Sequence, residues 1–288
     1  MKKSVTVPST IVSIVLGILI AFAGSEGSET YNGIALFAIC ASVSYLLHWM
    51  IFIPSYIYQT EHYFDLTGSI SYLSAIALAF YLNPSVDPRD ILIGCLIVIW
   101  AVRLGSFLFL RVKQDGKDNR FTVMKTQFHW YLMTWTIGGL WVFLTMAAGL
   151  AAITSDVSMP LGIMAYAGLM LWIIGFSIEV IADRQKRIFK KQVNKEKEFI
   201  TTGLWAWSRH PNYFGEITLW AGLTLIALPV LSGWQLITLI SPIFVFILLT
   251  RISGIPMLEN RAMKKWGSDP EYIDYLEKTP KLIMKKPK

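Results

Sequence analysis

The chain has 288 residues, of which 54% are hydrophobic and only 16% are charged, and its formal net charge is +7. Its mean hydropathy is +0.51, and the apolar residues lie in long blocks, which excludes a soluble globular domain. We predict an all-α fold: a polytopic membrane helical bundle forming one integral membrane domain, residues 1–288. Cys40 and Cys95 both lie in apolar blocks, so we expect packed thiols and no disulfide framework.

Blocks of about twenty apolar residues, the length that crosses a bilayer, occur eight times. Seven spans are the alternative count. Met1–Lys3 and the run after it resemble the start of a signal peptide, but no small-residue cleavage site precedes the next block, so we predict a retained first helix. The predicted spans are 8–25, 33–56, 67–84, 90–111, 131–154, 160–181, 213–230 and 233–253.

The basic residues are distributed unevenly between the connectors. With the N-terminus inside, 24 of the 26 Lys and Arg residues lie on the cytoplasmic side, Arg89 lies on the opposite side, and Arg103 lies within a span. Cytoplasmic loops are enriched in Lys and Arg, so we predict that both termini are cytoplasmic. The tail after Arg251 is predicted to form an amphipathic cytoplasmic segment. The basic residues lie in 2–3, 111–129, 184–211 and 251–288, with 2, 5, 8 and 9 in turn.

One stretch, GLWAWSRHPNYFGE at 203–216, joins the basic connector to the seventh block. Pro211 suits the first turn of a helix, so we predict that a helix begins at His210–Asn212. Its free N–H groups would lie beside Arg209 and His210, a favourable place for an anionic group. Asn212 and Glu216 are four residues apart and share one helix face. The alternative interpretation is a membrane-interface belt of aromatic and basic residues.

Ionisable residues also occur inside the predicted spans, where charge costs several kcal/mol and indicates function. On the predicted topology, all of these ionisable residues lie in the cytoplasmic half of the membrane, as residues that line a single polar cavity would. Several of these residues also have a structural interpretation. His48 could be a packing residue, Arg103 could snorkel to the interface or pair with Glu179, and Asp65 could cap the third span. The set is His48, Glu61, Tyr63, Asp65, Arg103, Glu179, Asp183 and Glu216.

Several motifs together resemble the steroid 5-alpha-reductase family, and most closely its bacterial branch. That resemblance implies a helical membrane reductase that uses NADPH to transfer a hydride to a double bond conjugated to a carbonyl in a lipophilic, steroid- or isoprenoid-like substrate. The motifs are FDLTGS (64–69), GKDNRF (116–121), EVIADRQKRIF (179–189), the 203–216 stretch, SGIPMLENR (253–261) and the closing YIDYLEKTP.

The resemblance also implies roles for particular residues. Asp183, Asn212 and Glu216 stand where the family keeps polar residues that contact the cofactor. Lys190 stands where the family tends to have an arginine for the cofactor phosphates, and Glu259 matches an acid that the family retains. The predicted cofactor-binding half is roughly 160–288. The full set of candidate cofactor-binding residues is Arg103, Glu179, Asp183, Lys190, Arg209, His210, Asn212, Tyr213, Glu216 and Glu259.

The substrate side departs from the family pattern. The position aligned with the family's ketone-polarising tyrosine is Trp100. The family's Gln–Glu pair is adjacent in sequence, whereas the candidates here, Gln59 and Glu61, have one residue between them. We therefore predict Glu61 and Tyr63 as catalytic residues at the reacting carbonyl. The chain has no Rossmann glycine fingerprint, so a nicotinamide cofactor is expected between helices.

Two other functions are compatible with the sequence. Arg-His-Pro followed by an aromatic also resembles isoprenylcysteine carboxyl methyltransferases, which use S-adenosylmethionine (SAM), and buried charges also occur in transporters. The eight basic residues of 184–211 favour NADPH, which carries phosphates, over the sulfonium cofactor, and we find no inverted repeat. The expected partners are a lipophilic small molecule and membrane lipids, without nucleic acid and without a metal.

Overall fold

The computed structural model describes residues 2–116, 118, 121–192 and 198–287. Within them, eight segments are long and apolar enough to cross a membrane, which confirms the predicted polytopic helical membrane bundle. The helices are α1 Lys3–Gly24, α2 Leu36–Ile57, α3 Phe64–Leu82, α4 Pro88–Asp115, α5 Phe128–Ile153, α6 Ile163–Lys191, α7 Pro211–Ala227, α8 Ile240–Ile247, α9 Ile255–Trp266 and α10 Pro270–Lys278.

The last span departs from a regular α-helix. It begins as a 3₁₀ helix at Gly233–Leu239, continues as α8 and passes through a π-helical turn at Leu248–Ile252 before α9. A two-stranded hairpin precedes α2, in which β1 (Thr30–Tyr31) pairs antiparallel with β2 (Ile34–Ala35). Both residues of its turn, Asn32 and Gly33, have positive φ, as the tightest hairpin turns require.

The described residues form two compact units, Met1–Ala165 with Thr224–Ser241 and Tyr166–Leu223 with Pro242–Lys288. The first unit is built around α5, whose most apolar 18-residue window is 89% buried, against 22% for α1. Helix α5 packs against α1, α2, α3 and α4. It is apolar on all faces and rich in small residues, a sequence typical of a helix with protein on every side.

Arg89 is a structural residue of the first unit. The sequence places it on the side opposite the basic loops, and the structure shows a side chain only 1% exposed. Its guanidinium donates to the carbonyls of Ile226, at 2.5 Å, and Pro160, at 2.8 Å. Ile226 lies in the last turn of α7, where carbonyls lack helical partners and a cation is favoured. Arg89 therefore binds a helix end, a role that periodicity does not reveal.

The start of helix α3 differs from the prediction that Asp65 caps this helix. The helix begins at Phe64, with Tyr63 in the capping position and no side-chain cap, so Asp65 lies inside the first turn and does not cap it. Its carboxylate instead lies 3.6 Å from the Arg111 guanidinium. Phe64 is already helical, so α3 begins one residue before Asp65 and not after it.

In the second unit, α6 and α7 approach each other through glycines. A Cβ placed on Gly215 would lie 2.5 Å from the carbonyl oxygen of Gly175, and one on Gly222 would lie 2.6 Å from that of Gly168. Side chains at these positions would hold the two backbones apart. The contact brings the inward faces of α6 and α7 together, and both faces carry polar residues.

Candidate functional site

Helix α7 begins at Pro211, as the sequence predicts. The amide of Phe214 donates to the carbonyl of His210 at 3.2 Å, so His210 provides the first carbonyl of the helix. The preceding segment ends in a 3₁₀ turn at Gly203–Ala206, where Gly203 has φ +64°. Arg209 and His210 therefore lie at the positive end of the α7 dipole.

A charged cluster surrounds this helix start. Glu259 Oε1 lies 2.9 Å from Arg209 Nη1, and Glu259 Oε2 lies 3.1 Å from Lys281 Nζ. The Nε2 atom of His210 lies 3.5 Å from Glu259 Oε1. One carboxylate thus faces two permanent cations, so the cluster carries excess positive charge at a helix N-terminus. The structure brings together three predicted residues and adds Lys281.

Two side chains of this cluster have unused hydrogen-bonding atoms. Neither ring nitrogen of His210 forms a hydrogen bond, and Arg209 Nε is buried without an acceptor. The ring of His210 stacks on Tyr213, with centroids 5.7 Å apart and planes 10° apart. Burial lowers the pKa of His210 to about 4; Glu259 opposes this shift, and Lys186 and Arg209 add to it. His210 is therefore neutral at pH 7.

The facing surfaces of α6 and α7 carry a polar group. Asn212 Nδ2 donates to Asp183 Oδ1 at 3.2 Å, so the amide oxygen of Asn212 is oriented by the bond on its nitrogen. Glu179, Asp183 and Glu216 are 2%, 9% and 9% exposed. The glycine contact explains this arrangement, since a Cβ on Gly215 would lie 2.7 Å from the backbone nitrogen of Glu179. The structure thus places buried carboxylates and an amide on adjoining helices.

The end of α6 and the following turn are joined by Trp205. Its indole N–H donates to the carbonyl of Ala182 at 3.0 Å, and Lys186 Nζ lies 4.4 Å from its ring centroid, a cation–π distance. Lys190, predicted near cofactor phosphates, is exposed in the last turn of α6. Lys186 is a cation that sequence reasoning did not select, because its position beside Trp205 depends on the fold.

The C-terminal segment binds the RHPNY region, which the sequence did not indicate. Arg209 N donates to the carbonyl of Pro280 at 2.9 Å, and Ser208 Oγ donates to that of Leu282 at 2.8 Å. Lys285 N donates to the carbonyl of Trp207 at 2.9 Å. These contacts span more than seventy residues, so no local pattern signals them. They hold the loop before α7 and deliver Lys281 to Glu259.

The remaining candidates lie in the first unit. Glu61 is 4% exposed, and its carboxylate accepts from Lys125 Nζ at 2.6 Å and from Asp118 N at 3.0 Å. Burial tends to raise the pKa of Glu61, but the bonds from Lys125 and Asp118 outweigh burial and lower it. Tyr63 is 51% exposed. Arg103 lies with its guanidinium carbon 5.3 Å from the Phe107 ring centroid.

One family model matches residues 50–279, most of the chain. That family is DUF1295, described as proteins of unknown function. The chain belongs to the DUF1295 family. The matched range of this DUF1295 protein includes every predicted catalytic and cofactor-binding residue and excludes His48 and Lys281. No curated protein and no solved structure matches the chain.

The second unit of this DUF1295 protein combines three chemical features. The first is excess positive charge at the start of α7, from Arg209 and Lys281 around Glu259. The second is a buried donor without an acceptor, Arg209 Nε, beside a neutral histidine. The third is the Asp183–Asn212 pair on adjoining helices. The arrangement suits a ligand that is anionic at one end and carries hydroxyl or amide groups elsewhere.

Proposed function

We propose that the protein is an NADPH-dependent membrane reductase acting on a double bond conjugated to a carbonyl in a lipophilic substrate. The observation that supports this proposal most is the charge at the start of α7, where two cations share the single carboxylate of Glu259. The resemblance of the 179–189 and 203–216 motifs to steroid 5-alpha-reductases supports the same reaction.

The residues present fit this cofactor. NADPH carries a pyrophosphate and a 2′-phosphate, which are matched by guanidinium groups, ammonium groups and helix N-termini. Arg209 has a buried Nε–H without an acceptor, a donor that a phosphate oxygen would satisfy. We propose that Arg209, Lys281, Lys186 and Lys190 hold the phosphate groups. The cofactor, when bound, supplies the hydride.

The polar residues of α6 and α7 fit the uncharged parts of the same ligand. Carboxylates bind hydroxyl or amide hydrogens well and repel phosphate, so Glu179, Asp183 and Glu216 are expected to contact ribose or the carboxamide. Asn212 donates to Asp183, which leaves its amide oxygen to accept a hydrogen bond from the ligand. Tyr213, stacked on His210, adds a flat aromatic surface.

On the substrate side, we propose that Glu61 and Tyr63 act near the reacting carbonyl. The Tyr63 side chain is half exposed, and a phenol can donate a hydrogen bond to a developing enolate oxygen. Lys125 keeps Glu61 ionised, so Glu61 serves as an acceptor that orients other groups. Tyr63→Phe is expected to slow NADPH consumption without changing NADPH affinity.

The methyltransferase alternative fits this charge less well. SAM carries a sulfonium cation and no phosphate, so a cluster with excess positive charge repels its reactive centre. Titration calorimetry of NADPH and of SAM into purified protein separates the two functions. We expect NADPH binding to weaken by roughly tenfold to a hundredfold in Asn212→Ala and in Asp183→Ala, since each removes a partner from a charged hydrogen bond.

Asp274→Ala is the matched control, because Asp274 is exposed and bonds only to Lys278 among the contacts that the described residues show. It should bind NADPH as the natural protein does. Wild-type affinity in both the Asn212 and Asp183 variants, or binding of SAM in place of NADPH, contradicts the proposal.

We also propose that the protein lies in the bacterial inner membrane with both termini in the cytoplasm, where NADPH is made. Cysteines introduced at Asn119 and Asn194, which lie outside the described residues, test this orientation. They should react with an impermeant thiol reagent only after the inner face is opened. Cys95 is exposed in the structure, so the prediction of a packed thiol was wrong for this residue, and the experiment requires a Cys95→Ser background.

A further inference from the structure

Helix α6 carries an exposed stripe of residues along most of its length. Successive members are three or four residues apart, so they lie on one face of the helix. The isoleucine and methionine side chains of this stripe are between 46% and 64% exposed. Two basic residues belong to it near the C-terminal end of the helix. The α6 stripe consists of Met170, Ile174, Ser177, Ile181, Arg184, Ile188 and Lys191, all of them exposed.

The basic residues of the α6 stripe lie at the depth of lipid headgroups. Arg184 is the first exposed charged residue of α6, because Glu179 and Asp183 before it are buried. The helix rises about 31 Å from Ile163 to Arg184 at 1.5 Å per residue, and the hydrocarbon layer of a bilayer is about 30 Å thick. With Ile163 at one boundary of that layer, Arg184 lies at the other. Lys191 lies about 10 Å further along, on the water side of the headgroups.

The protein does not neutralise this positive charge within the part of the chain that the structure describes. There, the side chains of Arg184 and Lys191 form neither an ion pair nor a hydrogen bond. The macrodipole of α6 favours a cation in its last turn, which includes Lys191 and not Arg184. On the opposite side of the helix, by contrast, Lys186 lies over the ring of Trp205. The stripe therefore presents cations that an anion from outside the protein can reach.

Apolar side chains flank the arginine of the α6 stripe. Ile181 and Ile188, on either side of Arg184, are 46% and 50% exposed. A guanidinium group binds two phosphate oxygens with its planar fork of donors, and the methylene stem of arginine packs well against apolar groups. A soluble anion would leave the isoleucines in water, and a hydrocarbon chain alone would leave the arginine without an acceptor. A phospholipid supplies both a phosphate and apolar groups.

We propose that the C-terminal end of α6 binds an anionic phospholipid. Arg184 binds the phosphate, Lys191 lies beside the outer part of the headgroup, and the two isoleucines contact the apolar parts of the lipid. A zwitterionic headgroup brings its own cation, which Lys191 repels, so an anionic headgroup is preferred. The lipid belongs to the leaflet at this end of α6, whichever side of the membrane that is. The site is independent of the proposed reduction, since it uses no residue assigned to NADPH or to the substrate.

Native mass spectrometry of the full-length protein in a mild detergent, titrated with lipid, tests this site. The probes are dioleoylphosphatidylglycerol and dioleoylphosphatidylcholine, which share their acyl chains and differ in headgroup charge. A basic residue near an anionic surface contributes a factor of roughly five in affinity. Because two basic residues face the headgroup, we expect the first phosphatidylglycerol to bind roughly tenfold to thirtyfold more tightly than the first phosphatidylcholine.

Variants assign that preference to the α6 stripe. Arg184→Gln and Lys191→Gln should each lower the preference for phosphatidylglycerol roughly fivefold. Lys190→Gln is the matched control, because it removes the same charge at the depth of Lys191 from an exposed position outside the stripe, and it should keep the preference. Equal binding of the two lipids to the natural protein, a preference that survives in both stripe variants, or an equal loss in Lys190→Gln overturns the proposal.

The same spectra distinguish the lipid from other occupants of the stripe. Glycerophosphoglycerol, which has the headgroup of phosphatidylglycerol and no acyl chains, should bind far more weakly than the lipid. If it binds as tightly as the lipid and this binding is lost in Arg184→Gln, the stripe is a site for soluble anions and the proposal fails. A dimer that forms without bound lipid and is lost in Arg184→Gln means that a second copy of the chain covers the stripe, which also refutes the lipid site.

Discussion

The close contact of α6 and α7 makes Gly215 a sensitive position. In Gly215→Ala the new Cβ would lie 2.5 Å from the carbonyl oxygen of Gly175 and 2.7 Å from the amide nitrogen of Glu179. Both neighbours are backbone atoms, so no side-chain rotation relieves the contact. An ordinary van der Waals contact at this position begins at 3.4 Å. The two helices must therefore separate by roughly 0.9 Å, the difference between 3.4 and 2.5 Å.

The magnitude follows from opposing effects. Overpacking of a tight interior costs about 1–3 kcal/mol, and a contact with backbone belongs at the upper end of that range. Replacing glycine by alanine recovers about 0.4–1 kcal/mol by restricting the unfolded chain. We expect Gly215→Ala to lower the free energy of unfolding by about 2 kcal/mol. Separation of the helices also stretches the 3.2 Å bond between Asn212 and Asp183 beyond hydrogen-bonding distance.

Reversible unfolding in mixed micelles, followed by tryptophan fluorescence, measures this change. Gly162→Ala is the matched control, because a Cβ at Gly162 meets no atom within 4 Å and its φ is not positive. The control should be as stable as the natural protein or slightly more stable. If Gly215→Ala unfolds at the same denaturant fraction as Gly162→Ala, the helices do not pack through Gly215 as described.

Three further predictions concern buried charge. The pKa of His210 is about 4 in the folded chain and 6.5 ordinarily, so the unfolded chain binds a proton at higher pH than the folded chain does. The free energy of unfolding should therefore fall as the pH drops from about 6.5 towards 4. His210→Gln should remove this pH dependence. Arg89→Met should cost about 2–4 kcal/mol of stability by deleting two charged hydrogen bonds, measured by the same unfolding assay with NADPH affinity unchanged. Glu61→Gln should destabilise the protein above pH 5 and not in acid, because the lowered pKa of Glu61 contributes stability only while the carboxylate is ionised. Exposed Tyr63 is the control, and Tyr63→Phe should unfold like the natural protein at every pH.

Much of the fold was predictable because a bilayer imposes simple requirements. A spanning helix needs a long apolar block, so the eight blocks identified eight spans in the part of the chain that the structure describes. Pro211 marked the start of α7, since a residue without an N–H costs nothing there. Sequence reasoning also selected Arg209, His210 and Glu259, which the structure brings into one cluster.

The sequence alone determined the class of protein, the number of spans and the segment that carries the cluster, because each depends on composition or on neighbours within one helical turn. Only the tertiary structure decided which groups meet. Lys281 reaches Glu259 because the C-terminal segment pairs with the loop before α7, and Arg89 is buried because two carbonyls accept its hydrogen bonds. His48 likewise packs against Gly138 of another helix, where an added Cβ would lie 2.9 Å from the imidazole ring. Contacts between distant segments depend on packing, and packing leaves no periodic signal in the sequence.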